Sequence, residues 1–224
     1  MKRFLVAFAM IAMLIPPVAL ASITNIATTN ESDGTWYRNN WYAGSYSGFY
    51  EGGDLGTTYL YFGGADRYFE KSYMQFNLSG FAGNVADIQS VTFNFNLLGV
   101  EGSGTLGSLW HRDNSSTATG LASQLLAGNQ KITDITSNTA IGWNSIDVTS
   151  MLVNDLTQGY AYSAFSSTYS SNWDLSFAIG SSESNLAPYL QIITSASAPA
   201  PASFVLLVSG LLGIAGLRRQ QTIQ

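Results

Sequence analysis

Apolar and polar residues alternate along several short stretches of this chain. The clearest stretch is 91–97, where Val, Phe, Phe and Leu take every second position and Thr or Asn the positions between. Residues 72–78 repeat the pattern around Met74 and Phe76. Because successive side chains of a strand point to opposite faces, this period predicts half-buried strands of an antiparallel sheet. Further strands are expected at 57–62, 106–110, 160–165, 175–179 and 189–193, with 22–32 as a polar lead-in.

Two segments have helical spacing instead. Residues 121–127 place Leu121 and Leu125 four positions apart before a glycine, and residues 149–158 end at Gly159. Glycine commonly follows the last residue of a helix because it adopts the left-handed conformation without strain. Many short strands separated by glycine-rich turns, together with two short helices, predict an all-β protein folded as a β-sandwich.

The two ends of the chain predict export. Lys2 and Arg3 precede an apolar run that prolines break, and Ala19 and Ala21 then form an A-x-A cleavage site. Residues 1–21 are therefore expected to be a signal peptide that signal peptidase removes. At the other end lie a proline-containing spacer, an uncharged apolar segment expected to form a membrane helix, and a basic end. Their ranges are 195–203, 204–217 and 218–224.

The C-terminal tail resembles the PEP-CTERM sorting signal of Gram-negative bacteria, which combines a Pro-Glu-Pro motif, a glycine-rich apolar helix and an arginine-rich end. The matching residues are Pro199, Pro201, Ser203, Arg218 and Arg219. Ala200 stands where the family has Glu. The resemblance implies handling by an exosortase-type transpeptidase at the inner membrane, and export to the cell surface or extracellular matrix together with exopolysaccharide. A plain C-terminal membrane anchor is the alternative.

Residues 22–194 are expected to form one domain with a strongly acidic balance. They carry five Lys and Arg residues against all 14 Asp and Glu residues, which gives a net charge of −9. A surface of that sign repels nucleic acid, so no nucleic-acid partner is expected. The chain has no cysteine, and an exported domain without disulfides depends on its packed core.

Three parts of this domain resemble the DNRLRE-type domain of secreted and cell-surface bacterial proteins. They are a strand ending Phe-Asn-Leu, a Trp before an Asp-Val-Thr helix start, and a closing Pro-Tyr-Leu strand. Lys71 and Asn77 depart from the family pattern, where Arg and Asp are usual. The resemblance implies a jelly-roll β-sandwich with a binding or structural role and without shared catalytic residues. The segments are 71–79 with 88–93, 143–151, and 188–192.

Residues that could catalyse a reaction are few. His111 is the single histidine, and no Gly-x-Ser-x-Gly turn supplies a hydrolase nucleophile. His111, Arg112 and Asp113 could form an acid–base cluster acting on a uronic-acid polymer, but a polar turn at a strand end is the favoured interpretation. We therefore expect no enzymatic activity and no catalytic residues. A polysaccharide lyase or glycosidase is the competing hypothesis.

No cofactor is expected, although loop carboxylates could bind Ca²⁺, which accepts flexible oxygen ligands. One histidine and no cysteine argue against a zinc site. Solvated loops without metal are the alternative for the three carboxylates. The candidate metal ligands are Asp33, Asp54 and Asp66.

Residues 35–50 are rich in aromatic side chains, with Gly and Asn between them, which favours strands joined by turns. Trp and Tyr rings can stack on the C–H faces of sugars, and Asn can bond their hydroxyls; alternatively, the rings fill the core. The predicted function is non-catalytic association with exopolysaccharide or biofilm matrix. A purely structural, self-assembling surface protein is a third possibility. The candidate carbohydrate-binding residues are Trp36, Tyr37, Asn39, Trp41 and Tyr42.

Overall fold

Strands make up most of the structure. The computed structural model describes residues 21–28, 33–41, 44–50, 55–63, 66–112, 130–170 and 174–195. One α-helix, α1 (Thr149–Thr157), follows β9, and two 3-10 turns lie between β5 and β6. The strands are β1 (Ser22–Ala27), β2 (Asp33–Trp41), β3 (Gly44–Tyr50), β4 (Leu55–Gly63), β5 (Asp66–Asn77), β6 (Ile88–Glu101), β7 (Thr105–Arg112), β8 (Gln130–Thr136), β9 (Gly142–Asp147), β10 (Tyr162–Tyr169), β11 (Leu175–Ile179) and β12 (Tyr189–Thr194).

The alternating pattern predicts the buried face of β6 correctly. Its four apolar positions from Val91 to Leu97 are buried, and the Thr and Asn positions between them keep part of their surface. On β5, Met74 and Phe76 are buried as expected. Gln75 is buried as well, so this part of β5 is covered on both faces.

Two long strands each belong to two groups of neighbours. Along one edge β6 pairs with β9, and along the other it pairs first with β12 and then with β11. In the same way β5 pairs with β2 on one edge and with β4 and then β10 on the other. Phe93 of β6 stacks on Phe165 of β10 with ring centroids 4.8 Å apart, and Phe76 of β5 meets both rings edge-on. The groups around β6 and around β5 and β10 are therefore the two layers of a β-sandwich.

Hydrogen bonds to Asp147 and Val91 fix the start of the helix α1, and a glycine follows its end. The carboxylate of Asp147 accepts the backbone N–H of Thr149 at 2.8 Å, while the Thr149 hydroxyl accepts the N–H of Val91 from β6. Gly159 follows the helix with a φ of +71°, the conformation expected of a helix stop. The prediction of a helix at 149–158 is thus confirmed. The other predicted helix, 121–127, lies outside the described residues.

The first and last strands of the body are neighbours. The N–H of Thr28 donates to Pro188 O at 3.0 Å, so the end of β1 lies beside the start of β12. The two strands consequently run antiparallel, with Ile23 and Thr194 at the same end of the compact unit that they delimit. The segment expected to be a polar lead-in thus contains β1, a strand that the sequence pattern did not predict.

The described residues include no helix that is both long enough and apolar enough to cross a bilayer. The predicted signal peptide and the predicted tail helix at 204–217 lie outside the described residues, apart from Ala21. They stay predictions, as does the sorting motif at Pro199, Pro201, Ser203, Arg218 and Arg219.

Candidate functional site

The predicted carbohydrate-binding residues lie on one strand but not on one face. In the β2–β5 ladder, position 36 is opposite Lys71 and position 37 is opposite Glu70. Adjacent positions of a strand belong to opposite faces, so positions 37 and 39 share one side of the ladder and position 36 belongs to the other. Asn39 is only 8% exposed. For Trp36 and Trp41 the backbone alone is described, and Tyr42 lies outside the described residues, so the binding role of this stretch stays a prediction.

Asp33, the first candidate metal ligand, is engaged by protein groups. Its buried carboxylate accepts hydrogen bonds from the Thr28 hydroxyl at 2.8 Å and from the Ser182 N–H and hydroxyl at 3.1 and 3.0 Å. Burial raises the pKa of Asp33, and these three hydrogen bonds oppose that rise. Asp33 therefore joins the start of β2 to the turn after β11.

The other two carboxylates give no further indication of a metal. Asp54 lies outside the described residues, and Asp66 is described only as the first backbone position of β5. Within the described ranges, no three His, Asp or Glu side chains are grouped closely enough to hold an ion. The calcium site therefore stays a prediction.

His111 lies inside the sandwich. It belongs to β7 and is 1% exposed, so the expected polar turn at this position is wrong. Its Nε2 is 2.8 Å from Oδ2 of Asp155 on α1 and 3.4 Å from the Ser163 hydroxyl. A catalytic triad uses both ring nitrogens, one for the acid and the other for the nucleophile. Here both partners meet the same nitrogen, and Nδ1 has no partner among the described residues.

Arg112 does not join this cluster. As neighbours on β7, His111 and Arg112 point to opposite faces, and Arg112 pairs with Ala164 while His111 pairs with Phe165. Burial lowers the pKa of Arg112. Asp113 lies outside the described residues. His111 and Arg112 are thus not brought together at one site.

A site that the sequence reasoning missed lies on the solvent side of the β6 layer. There β6 is flanked by β9, with Trp143 opposite Asn96, and by β12, with Tyr189 opposite Asn94. All of these side chains lie on the face opposite to the buried phenylalanines of β6. We call this surface the amide face. Its residues are Thr92, Asn94, Asn96, Trp143, Ser145, Tyr189 and Gln191.

Trp143 is the exposed aromatic group of the amide face. It is 52% exposed, and among the described residues the other large hydrophobic side chains exposed to this degree are Ile23 and Ile141. Its ring meets Tyr189 edge to face, with centroids 5.5 Å apart. The side-chain amide of Asn144 donates to two carbonyls of the preceding turn, which holds the start of β9 in place. The exposed indole therefore lies on a strand whose start is held by side-chain hydrogen bonds.

The amides of this face divide into fixed and available groups. Asn94 donates to the Thr92 hydroxyl at 3.1 Å and accepts the Ser145 hydroxyl at 2.8 Å, so its position is set by protein bonds. For Asn96 and Gln191, no side-chain hydrogen bond to another described residue is found. Both side chains are partly exposed, so they can bond a ligand.

A sequence signal for this site exists within β9. Along β9, Trp143 and Ser145 belong to the exposed face, and Asn144 and Ile146 belong to the opposite face. Trp143 therefore shares its face with a polar residue, while Ile146 packs against the core. No known family model matches the chain, and no curated protein is recognisably similar to it.

Proposed function

We propose that this protein is an exported, non-catalytic protein of the cell surface or extracellular matrix that associates with exopolysaccharide through the amide face. The observation that carries the proposal is Trp143, an indole 52% exposed on a sheet face of otherwise polar side chains. An exposed aromatic ring retains apolar surface that a ligand can bury, at about 25 cal/mol per Å². The C–H face of a sugar ring is a ligand of that kind.

Polar groups around Trp143 suit the rest of a sugar. Asn96 is directly opposite Trp143 in the ladder, which puts its amide within reach of a ring stacked on the indole. An amide both donates and accepts, as a sugar hydroxyl does. Tyr189 supports the indole from the other side of β6. In ligand sites, apolar stacking contributes affinity, and a few placed hydrogen-bonding groups fix the orientation of the ligand.

Export and delivery are part of the same proposal. Signal peptidase would cleave after Ala21, and an exosortase-type enzyme would process the tail during transit through the inner membrane, as its likeness to the PEP-CTERM signal implies. The likeness to the DNRLRE-type domain implies a jelly roll. Two observations support that proposal: the body is a β-sandwich, and its helix starts at the predicted Asp-Val-Thr.

The competing function is degradation of polysaccharide by a lyase or glycosidase. It requires a catalytic group that touches the polymer. His111, the single histidine, has 1% of its surface exposed and is bonded to Asp155 within the core. That burial favours the binding function for the described part of the chain.

The experiment uses the full-length chain in a non-ionic detergent without a sugar headgroup, mixed with exopolysaccharide from the producing organism. Wild type should co-sediment with the polymer, and Trp143→Ala should bind at least tenfold more weakly while its circular dichroism is unchanged. Ile23→Ala is the matched control, because it removes an equally exposed apolar side chain from β1. Equal binding by Trp143→Ala would refute the site, and shortening of the polymer would favour the enzyme.

A further inference from the structure

The positive charges of the described body are confined to one group of strands. Every Lys and Arg among the described residues lies on β2, β5, β7 or β8. The strands β1, β6, β9, β11 and β12 and the helix α1 contain none. The layer that carries the amide face therefore has no cation on any of its strands. The cations are Arg38, Arg67, Lys71, Arg112 and Lys131.

Carboxylates stand on the same side of this layer, at Glu101 beside Ser176 and at Asp147. Asp147 is opposite Thr92 in the β6–β9 ladder and is exposed. The Thr149 hydroxyl and N–H donate to its Oδ1 at 2.6 and 2.8 Å. These bonds stabilise the ionised form and hold the pKa of Asp147 below its ordinary value. The charge at this edge of the amide face is thus negative at neutral pH.

A polyanion needs the opposite arrangement. Each uronate carboxylate that leaves water for a protein surface requires a Lys or Arg partner, which forms the strong charge-assisted hydrogen bonds. Without such partners, the acidic surface repels the polymer at a distance. We infer that the amide face selects uncharged glycans over uronic-acid polymers, with neutral hydroxyls bonded by Asn96 and Gln191 and a sugar ring stacked on Trp143. This inference rests on the proposed function.

The size of the site indicates a chain of sugars rather than a single one. Asn96 is opposite Trp143, and Gln191 is opposite Thr92, four residues further along β6. At about 3.4 Å per residue, that separation is roughly 14 Å along the strand. Two hydrogen-bonding amides this far apart cannot both reach one sugar ring placed on the indole. Gln191 therefore contributes only when the glycan continues along β6.

The test separates the exopolysaccharide of the producing organism on an anion exchanger into an unretained, uncharged fraction and a retained, anionic fraction. Alginate serves as a defined polyuronate. The full-length wild-type chain should co-sediment with the uncharged fraction, equally at low and high salt. Binding should fall at least tenfold in Trp143→Ala and severalfold in Asn96→Ala. Neither the anionic fraction nor alginate should be bound.

The outcomes distinguish the two proposals. Preferential binding of the anionic fraction or of alginate, weakened by salt, overturns the inference about charge and leaves polysaccharide association standing. Binding of the uncharged fraction that is unchanged in both variants removes the amide face as the site. If neither fraction is bound, the proposed function itself fails. Ile23→Ala, again the control, should match wild type in every arm.

Discussion

The hydroxyl of Ser167 accepts the backbone N–H of Ser72 at 2.7 Å. Ser72 lies where β5 changes partners, between Glu70, which pairs with β4, and Tyr73, which pairs with β10. On that edge neither β4 nor β10 has a residue paired with Ser72, which on the other edge is opposite Thr35 of β2. The side chain of Ser167 supplies the missing acceptor, and it also bonds the hydroxyls of Ser72 and Thr57.

Removal of this hydroxyl should destabilise the fold. Ser167→Ala leaves the buried N–H of Ser72 without an acceptor, and such a loss costs about 1–3 kcal/mol. The free energy of unfolding should fall by that amount in urea titrations followed by circular dichroism.

Ser166 provides the matched control because it is the adjacent residue of β10 and equally buried. Its hydroxyl has no partner among the described residues. Ser166→Ala should therefore leave the free energy of unfolding within about 0.5 kcal/mol of wild type, or raise it. Equal losses in the two variants would show that the Ser167 bond contributes nothing specific.

The pair formed by His111 and Asp155 predicts unequal effects of the two single substitutions. His111→Leu leaves a buried carboxylate without its partner and should cost about 3–5 kcal/mol. Asp155→Leu should cost less, about 1–3 kcal/mol, because it leaves a single imidazole nitrogen without its partner. Urea unfolding of both variants under identical conditions checks the two values.

The double variant His111→Leu with Asp155→Leu completes this cycle. It removes both polar groups from the core, so neither is left unpaired, and apolar replacement of a buried pair is often close to neutral. Its loss of stability should be smaller than that of His111→Leu alone. Strictly additive losses would mean that the two side chains are not coupled.

Asp33 should make the body less stable as the pH rises. Burial raises its pKa above the unfolded value of 3.8, so the folded state binds the proton more readily. Its contribution to stability is complete below pH 3.8 and is lost as the pH rises through the folded pKa, at about 1.4 kcal/mol per unit of pKa difference. The stability of wild type relative to Asp33→Asn should accordingly fall between acid and neutral pH in thermal unfolding.

Asp147→Asn is the control of opposite sign. Hydrogen bonds from Thr149 lower the pKa of Asp147, so its contribution is present above the unfolded pKa and is lost as the pH falls. The stability of wild type relative to Asp147→Asn should rise between acid and neutral pH. Two curves with the same slope would contradict the prediction for Asp33.

Local pattern was enough to predict the strands that face the core. The alternation of residues 91–97 and 175–179 follows from burial of one face, and both strands form there with the apolar side inward. The helix and its glycine stop were predictable for the same reason, because capping depends on adjacent residues. β1 was missed since its two isoleucines, Ile23 and Ile26, are an odd number of positions apart and break the alternation.

The sites could not be predicted in full because they depend on pairing between distant strands. His111 and Asp155 are 44 positions apart, although Asp155 follows Met151 by one helical turn and so belongs to the buried side of α1. Trp143 and Tyr189 meet only because β9 and β12 flank the same strand. The cluster of aromatics in residues 35–50 drew attention in the sequence, but strand alternation distributes those positions over two sides of a ladder.

The antiparallel pairing of β12 with β6 has a mechanical consequence. Tyr189, beside the indole, and Thr194, where the body ends, occupy opposite ends of β12. If the protein is tethered through its C-terminal flank while a polymer holds it at Trp143, tension runs lengthwise along that strand. The rungs joining β9 to β6 and β6 to β12 are then sheared simultaneously instead of being peeled apart singly. Such a geometry would resist pulling in the way that the proposed association with a polymer requires.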